Sequence, residues 1–382
     1  MTGIGERPGG RSLIRTVERR VVVGIALILA GVCAVAGVLV MWSYPGKPMP
    51  YLDEAGKPIS GSISEKTQVE INGVSQGMFI KGTDANHPVL LYLHGGLPDY
   101  FLDQQYPSGL DEQFTVVWWE QRGAGLSYSP DIPPATMTVE QFIADTVAVT
   151  NYLRDRFGKE KIYLMGHSGG SFFGIQAAAR MPQLYAAYIG VAQMADQLES
   201  ERLAYAYMLD RFRADENTRM VRKLEAAPVT STGDVPSGYL KVRDTAMHSL
   251  GIGTMHNMSS VMSGIFLPSL QSREYTLGEK AKLWRGKFGA GVSSLWSEMI
   301  TTDLATTVTE LSIPVYFFHG IHDYTCSYTE AKAYFDVIKA PVKGFYTFEQ
   351  SAHSPIFEEP DKVLRIMQTD VLAGTNRLAE SR

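Results

Sequence analysis

The sequence predicts an α/β domain with a mostly parallel β-sheet flanked by helices, and three observations lead to this fold class. Short β-rich runs alternate with helical patterns along much of the 382-residue chain, which is the order of a layered α/β domain. Runs such as Val89–Leu93 and Thr115–Trp119 are apolar on consecutive positions, as in strands buried on both faces. Apolar residues make up 45% of the chain, enough for a sizeable core.

The first segment of the chain is predicted to cross a membrane. Residues 21–42 carry no charge, and a helix of this length, at about 1.5 Å per residue, spans a hydrocarbon layer of about 30 Å. Arginines outnumber glutamates before it, which predicts a cytoplasmic N-terminus over residues 1–20, a single-pass anchor in the cell membrane, and an extracytoplasmic remainder. A cleaved signal peptide is the alternative, because Ala-Val-Ala at 34–36 fits a cleavage site, although the apolar run continues past it.

A linker and three further segments follow. Residues 43–63 hold closely spaced prolines and glycines, which predict an extended linker. Strands and helices alternate over 64–192 and again over 312–382, which we assign to two parts of one α/β core. Between them, residues 193–311 are helix-prone and contain half of the 16 methionines. We predict a helical insertion whose methionines either pack its helices together or line an apolar pocket.

Eight strands and two long helices are predicted within the core. The helix Val139–Phe157 has Thr138 as its N-cap and Gly158 as its stop, and a second helix runs over Gly169–Arg180. The predicted strands are Thr67–Ile71, Gly77–Lys81, Val89–Leu93, Thr115–Trp119, Lys161–Met165, Ala187–Val191, Val315–Phe318 and Phe345–Phe348.

Charge and cysteine content exclude several classes of protein. The net charge of −5 leaves no basic surplus for neutralising phosphates, which argues against a nucleic-acid partner. The two cysteines, Cys33 and Cys326, cannot build a disulfide framework or a zinc site by themselves. We predict no metal and no organic cofactor.

A candidate nucleophile lies in the sequence Gly166-His167-Ser168-Gly169-Gly170. It matches G-x-S-x-G between a predicted strand and a predicted helix, the context in which such a turn exposes a serine hydroxyl. The two outer glycines keep side chains out of the tight turn. The alternative is a glycine-rich phosphate-binding turn, but neither GxxxxGK[ST] nor GxGxxG is present. The pattern therefore favours Ser168 as a nucleophile.

A second glycine-containing loop, HGGL at 94–97, follows the third predicted strand. The backbone N–H of Gly96, or alternatively that of Leu97, is predicted to join that of Gly169 in an oxyanion hole. An ordinary glycine turn is the alternative. We interpret His94 as a structural residue of this loop.

A serine nucleophile requires a histidine as base and an acid that orients it. In this arrangement the acid precedes the histidine in the chain. Of the eight histidines, His353 lies in a loop after the last predicted strand. Asp323 lies in the loop after the strand Val315–Phe318, at the sheet edge where catalytic groups gather. Its alternative role is helix capping, for which Ser327 and Glu330 already provide a capping box.

Together these motifs resemble the α/β-hydrolase superfamily over about Thr67–Leu372. The pairing of HGG at 94–96 with EQRGAGLS at 120–127 resembles more narrowly the prolyl aminopeptidase (proline iminopeptidase) branch, which has HGGPG and DQRGxGxS segments. The sequence departs from that branch at Leu97, where proline is expected, and at Glu120, where aspartate is expected. Its GHSGG turn also differs from the GGSWG of those peptidases.

The resemblance implies that residues 193–311 form a helical cap inserted late in the sheet. It also implies that cap carboxylates recognise a free N-terminal amine, for which the candidates are Glu199, Glu201, Asp210 and Glu225. We interpret Arg122 as bracing its own loop through hydrogen bonds. The triad that the resemblance implies consists of Ser168, Asp323 and His353.

These observations predict a membrane-anchored serine hydrolase that cleaves an ester or amide bond through an acyl-enzyme. We expect a small-molecule or short peptide substrate and contact with the membrane, but no nucleic acid. A prolyl-aminopeptidase-like peptidase and a carboxylesterase or lipase both remain open. Dehalogenase and epoxide hydrolase chemistry is disfavoured, because those relatives place aspartate at the nucleophile position. A non-catalytic binding module is a further alternative, disfavoured because all three triad residues are present.

Overall fold

The computed structural model describes residues 10–231 and 233–380, and eight strands form a single sheet within them. They lie within at most four residues of the predicted boundaries. The strands are β1 (Ile63–Ile71), β2 (Val74–Gly82), β3 (Val89–Leu93), β4 (Thr115–Glu120), β5 (Ile162–His167), β6 (Tyr185–Val191), β7 (Val315–Gly320) and β8 (Lys343–Phe348).

The sheet is mostly parallel, as predicted. Its order is β1-β2-β4-β3-β5-β6-β7-β8. β2 pairs antiparallel with both β1 and β4, and the remaining neighbours are parallel. The carboxyl ends of β3, β5, β7 and β8 therefore reach one edge of the sheet, and the loops that follow them meet there.

Helices cover both faces of the sheet. The predicted boundaries of the two long core helices are correct, and the Thr138 hydroxyl accepts the Gln141 N–H at 3.2 Å as an N-cap. The helices are α1 (Gly10–Trp42), α2 (Tyr100–Gln105), α3 (Val139–Phe157), α4 (Gly169–Arg180), α5 (Gln197–Ala214), α6 (Thr218–Glu225), α7 (Ser237–Ser249), α8 (Leu267–Gln271), α9 (Leu277–Gly289), α10 (Trp296–Ile300), α11 (Leu304–Thr307), α12 (Tyr328–Val337), α13 (Pro355–Glu358) and α14 (Pro360–Ile366).

The core is built on the alternation of side chains along the buried strands. On β3, Leu91 and Leu93 pack with α3 and α4, whereas Leu90 and Tyr92 pack on the opposite face with α2, α13 and α14. This is the period of two that a pleated strand imposes. Since both faces are covered, β3 and β4 are buried at every position, which explains their continuous apolar sequence.

The segment between β6 and β7 is helical, and we call residues 197–307, which hold α5 to α11, the helical insertion. Part of it has a hydrophobic cluster of its own, centred on Met208, Tyr239 and Met247. Met194 and Met299 instead pack with the core cluster under the sheet. The methionines of this region therefore serve partly as packing, and Met247 and Met299 also line the cavity described below.

The N-terminal helix α1 contains the apolar stretch that the sequence indicated. Its segment Glu18–Trp42 is long and apolar enough to cross a membrane, and none of the most apolar window is buried against the protein. A signal sequence near an N-terminus can also meet these criteria of length and apolar composition. Of the predicted cytoplasmic segment 1–20, residues 1–9 lie outside the described residues.

Candidate active site

Ser168 occupies the tight turn between β5 and α4. Its backbone has φ 55° and ψ −126°, a left-handed conformation that costs about 1–3 kcal/mol and is found at functional sites. A Cβ added at Gly166 would lie 2.6 Å from Ser171 Cα, and one added at Gly170 would lie 2.2 Å from the Leu93 carbonyl oxygen. Glycine is therefore required at both positions, because the turn packs directly on the neighbouring backbone.

Asp323 and His353 meet at the ends of β7 and β8. His353 Nδ1 donates a hydrogen bond to Asp323 Oδ2 at 2.9 Å. The other carboxylate oxygen accepts the backbone N–H groups of Thr325 at 2.8 Å and Cys326 at 3.1 Å. The carboxylate is buried, and these contacts fix its orientation. His353 is thereby held in the tautomer that leaves Nε2 free to accept a proton.

The electrostatics of this pair suit a neutral base. Burial raises the pKa of Asp323, but the charges and hydrogen bonds of His353 and His319 outweigh burial and bring the pKa below its usual range. Burial lowers the pKa of His353 below its ordinary value, and the attraction of Asp323 offsets part of that effect. At neutral pH the pair is therefore a carboxylate beside an uncharged imidazole.

Ser168 and His353 line the same cavity but are not hydrogen-bonded to each other among the described residues. Cys326, which borders the same cavity, donates from Sγ to Gln197 Oε1 at 3.6 Å, and burial raises the pKa of that thiol well above its ordinary value. The structure thus joins two of the three predicted triad residues directly. The third borders the same cavity, and catalytic hydrogen bonds are often long before substrate binds.

The two predicted oxyanion donors border the same cavity. Gly169 is the first residue of α4, where backbone N–H groups lack a partner within the helix. Gly96 lies in the loop after β3, and its carbonyl oxygen accepts a hydrogen bond from Ser293 Oγ at 3.1 Å. A Cβ on Gly95 would come within 2.7 Å of Ser168 Cβ, so this loop lies directly against the serine. Leu97, the alternative donor, also lines the cavity.

His94 and Arg122 support the loops, as the sequence indicated. The backbone N–H of Gln121 donates to His94 Nε2 at 3.1 Å, and His94 Nδ1 donates to the Gly95 carbonyl at 2.7 Å. Burial lowers the pKa of His94 to about 4, which keeps it neutral in this role. Arg122 Nη2 donates to the Asn72 carbonyl at 3.2 Å, and its guanidinium pairs with Asp145.

One supporting contact was missed at the level of sequence. His167 Nε2 donates to the backbone carbonyl of His353 at 2.8 Å, and its Nδ1 lies 3.0 Å from Asp99 Oδ2. Burial lowers the pKa of His167, but its hydrogen bond to Asp99 and the charge of that carboxylate outweigh burial and raise it. His167 therefore positions the loop that carries His353. Its place beside Ser168 in the G-x-S-x-G motif was the signal that could have identified it.

The cavity has a volume of about 660 Å³ and lies between the core loops and the helical insertion. Apolar side chains dominate its lining, and the charged side chains from the insertion are Arg243, Asp244 and Lys287. Lys287 Nζ would lie 3.0 Å from a Cβ on Gly96, so a cation adjoins the loop of the oxyanion donors. The insertion thus adds both the apolar wall and the charged groups.

The four cap carboxylates considered from the sequence do not line this cavity. Glu199 pairs with Arg202, and Glu225 pairs with Arg213. Glu201 is buried and engaged by other residues, which are Arg243, Tyr239 and Gln197. Asp244 was not considered, because an exposed acid next to an arginine on a helix gives no sequence signal.

Comparisons with known proteins agree on the family. The model of the alpha/beta hydrolase fold family matches residues 88–360. The probable aminopeptidase YbaC of Bacillus subtilis (strain 168) is 31% identical over 309 residues, which cover 79% of this chain and 95% of that protein.

Two solved structures share the fold at low sequence identity. The proline iminopeptidase-related protein TTHA1809 from Thermus thermophilus has a TM-score of 0.58 at 19% identity, covering 81% of this chain and 98% of its own. The proline iminopeptidase of Mycobacterium smegmatis has a TM-score of 0.59 at 16% identity, covering 81% and 100%.

Proposed function

Because the chain belongs to the alpha/beta hydrolase fold family and is a hydrolase of that fold, we propose that it is a serine hydrolase with Ser168 as nucleophile, His353 as base and Asp323 as the orienting acid. The observation that carries the proposal is the buried hydrogen bond of 2.9 Å between Asp323 and His353, beside a serine held in a strained turn. Such strain is retained where the surrounding structure and function require it.

In the proposed reaction, the Ser168 hydroxyl first turns toward His353 Nε2. Its oxygen bonds to the substrate carbonyl carbon as its proton moves to His353 Nε2. The carbonyl oxygen becomes an oxyanion that accepts the N–H groups of Gly96 and Gly169. The bond to the leaving group then breaks, and that group takes the proton from His353. Water repeats the sequence on the acyl-enzyme and restores the serine.

An aminoacyl amide is the substrate class we favour, and the relative named a probable aminopeptidase supports it. The protonated N-terminal amine of such a substrate needs a negatively charged hydrogen-bond acceptor near the scissile bond. Among the described residues of the helical insertion, Asp244 is the carboxylate that lines the cavity. Arg243 contacts it at 3.0 Å, which fixes its orientation.

A carboxylesterase is the second candidate, and the apolar lining of the cavity favours it. Residues from the insertion such as Val261, Ile265, Trp284 and Trp296 offer a surface for an acyl group. An ester needs no acceptor for an amine. The two candidates therefore differ in whether Asp244 contributes to substrate binding.

The direct test is labelling of the full-length protein with a fluorophosphonate, followed by mapping of the adduct. We expect labelling at Ser168 and loss of labelling, with about a 10⁶-fold loss of kcat, in Ser168→Ala. Ser75→Ala, at an exposed serine of β2, serves as the matched control and should label normally. An adduct at another residue, or turnover retained in Ser168→Ala, would contradict the proposal.

Aminoacyl arylamides and short p-nitrophenyl esters assayed side by side separate the two candidates. A peptidase should turn over prolyl or other aminoacyl arylamides and lose this activity when the amine is acetylated. An esterase should prefer the esters and be indifferent to a free amine. Turnover of neither panel, with ligand binding retained, would favour a non-catalytic module.

We also propose that α1 is an uncleaved anchor that leaves the hydrolase domain on the extracytoplasmic side. Its uncharged stretch is longer than the core of a signal peptide. The test is N-terminal sequencing of the membrane-bound protein together with protease protection in sealed vesicles of known orientation. An N-terminus at residue 37 or later, or a protected hydrolase domain in right-side-out vesicles, would contradict it.

A further inference from the structure

Exposed apolar side chains concentrate on one part of the helical insertion. After residue 63, seven large apolar side chains are exposed in the described chain, and four of them fall within residues 262–288. They are Met262 at 59% exposure, Leu267 at 39%, Leu277 at 42% and Phe288 at 80%. Single exposed apolar residues are ordinary, but a concentration of them marks a contact surface. We call these four residues the 262–288 surface.

Aromatic contacts join the two ends of this segment. The Trp284 ring lies 5.1 Å from that of Phe266 and 5.8 Å from that of Phe288, between ring centroids. The π-helical turn Met262–Phe266 is therefore packed against α9, which carries Trp284 and Phe288. Residues far apart in this segment form one structural unit.

The end of α1 is fastened to the same unit. Lys280 Nζ donates to the Trp42 carbonyl at 3.0 Å and to Ser43 Oγ at 2.9 Å. Arg273 Nε donates to the Tyr44 carbonyl at 3.0 Å, and the Arg273 carbonyl accepts the Gly46 N–H at 2.9 Å. The point where the apolar helix leaves a bilayer is thus in direct contact with the helical insertion.

This attachment places the segment that carries the 262–288 surface beside the end of α1. Phe288 lies eight residues along α9 from Lys280, or about 12 Å. Lys282 and Arg285 are exposed on α9, and cations between apolar residues are typical of helices that lie on anionic lipid.

The same unit forms part of the wall of the cavity. Ile265, Trp284 and Phe288 line it together with Ser168. Phe288 is both a lining residue and the most exposed apolar side chain of the surface. It therefore stands at an opening of the cavity, on the same helix whose Lys280 contacts the end of α1.

We propose that the 262–288 surface rests on the lipid bilayer and that the cavity opening at Phe288 receives its substrate from the membrane. The substrate would be an amphiphile with an apolar chain, whose carbonyl reaches Ser168 while the chain still contacts lipid. This rests on the proposed hydrolase function and on α1 acting as an anchor. The lipid contact itself is independent of the chemistry and is tested separately.

The location test uses the full chain in nanodiscs of neutral and anionic phospholipid. On a Cys33→Ser background, an environment-sensitive fluorophore is attached at Met262→Cys or, as a matched control, at Val337→Cys on α12. Both side chains are 59% exposed. We expect a shift to shorter wavelength and quenching by doxyl-labelled lipid at position 262, and neither at 337. Equal emission and quenching at both positions would overturn the proposal.

The delivery test compares a short water-soluble ester with a long-chain ester embedded in the nanodisc. Met262→Ser/Leu277→Ser removes two surface residues that do not line the cavity. We expect about a tenfold loss on the embedded ester, because apolar contact with lipid is lost, and less than a twofold change on the soluble one. Val337→Ser should change neither.

Equal losses on the two esters, or no loss on either, would overturn delivery from the membrane. Failure of the proposed function gives a different result. The unmodified protein would then hydrolyse neither the esters nor the aminoacyl arylamides, while the fluorophore at position 262 would still report lipid contact.

Discussion

The α/β core and the helical insertion each contain a buried two-point ion pair, and the two pairs serve different ends. In the core, Arg122 Nε and Nη2 contact Asp145 at 2.7 and 3.0 Å. In the insertion, Arg243 Nε and Nη2 contact Glu201 at 2.7 and 2.6 Å. The Arg122 side chain is 1% exposed, whereas that of Arg243 is 12% exposed and lines the cavity.

The two ion pairs differ in which parts of the molecule they hold in place. Asp145 accepts further hydrogen bonds from Asn72, Gln76 and Gln141, so its ion pair ties the first hairpin and α3 to the loop after β4. Arg243 instead pairs with Asp244, and both side chains line the cavity. We therefore expect changes in the core to affect turnover or folding, and changes in the insertion to affect the choice of substrate.

The largest effect should follow from Asp323→Asn in the core. The asparagine keeps the shape of the carboxylate but cannot stabilise the imidazolium or enforce the tautomer of His353. We expect kcat to fall by about 10⁴-fold on every substrate, while the unfolding temperature changes little. Steady-state kinetics on an ester and an arylamide measure this. A loss confined to one substrate class would break the proposed division.

The next largest effect is expected on the free energy of unfolding, when either ion pair is broken by Arg122→Met or Arg243→Met. Removing Arg122 leaves the Asp145 charge buried, which typically costs about 3–5 kcal/mol of stability. Arg243 borders the cavity, so water can reach the Glu201 carboxylate after its removal, and we expect a smaller loss. Denaturant unfolding of both variants in the same detergent gives the two free energies. A loss in Arg243→Met equal to or above that in Arg122→Met would contradict this.

The core was predictable from sequence because its signals are local. Continuous apolar runs identified the strands, and a glycine on each side of Ser168 identified the turn. The loops after β7 and β8 follow parallel strands, so Asp323 and His353 were expected at one edge of the sheet. The structure places Asp323 Oδ2 2.9 Å from His353 Nδ1. The predicted capping box at Ser327 is wrong, since the Ser327 side chain makes no capping hydrogen bond at the start of α12.

The insertion was not predictable in the same way, because its contacts are made between helices. Glu201 and Arg243 are 42 residues apart on α5 and α7, and no spacing rule connects them. The four candidate acids were chosen by charge alone, whereas the packing of the helices leaves none of them in the lining of the cavity. For the same reason, Asp244 and Lys287 emerged only from the assembled cavity.

A moderate effect is expected from Asp244→Asn in the insertion. If Asp244 accepts the substrate amine, its neutralisation removes one ion pair, and KM for aminoacyl arylamides should rise about tenfold, or ~1.4 kcal/mol. KM for p-nitrophenyl esters should not change, since they carry no amine. Unchanged kcat on both substrates would separate this result from that of Asp323→Asn. An equal rise in KM for both substrates would remove Asp244 from amine recognition.

The smallest effect is expected on the pH dependence of stability, and it comes from Glu120, where the core meets the insertion. This carboxyl group at the end of β4 accepts hydrogen bonds from the Leu126 N–H and from the Tyr275 hydroxyl of the insertion. Burial raises its pKa to about 8, so the folded protein holds a proton that the unfolded chain releases near pH 4.5. The resulting stabilisation is complete below about pH 4.5 and is lost as pH rises through about 8.

Glu120→Gln should remove this pH dependence, because the amide is neutral throughout and can still accept from Leu126 while donating to Tyr275. We expect the unfolding temperature of the unmodified protein to fall, relative to that of the variant, by a few degrees between pH 5 and pH 8.5. Thermal unfolding at these two pH values measures it, with Glu70→Gln on the exposed part of β1 as control. Parallel pH profiles for Glu120→Gln and the unmodified protein would mean that Glu120 is ionised in the fold, and that the core meets the insertion through a charge.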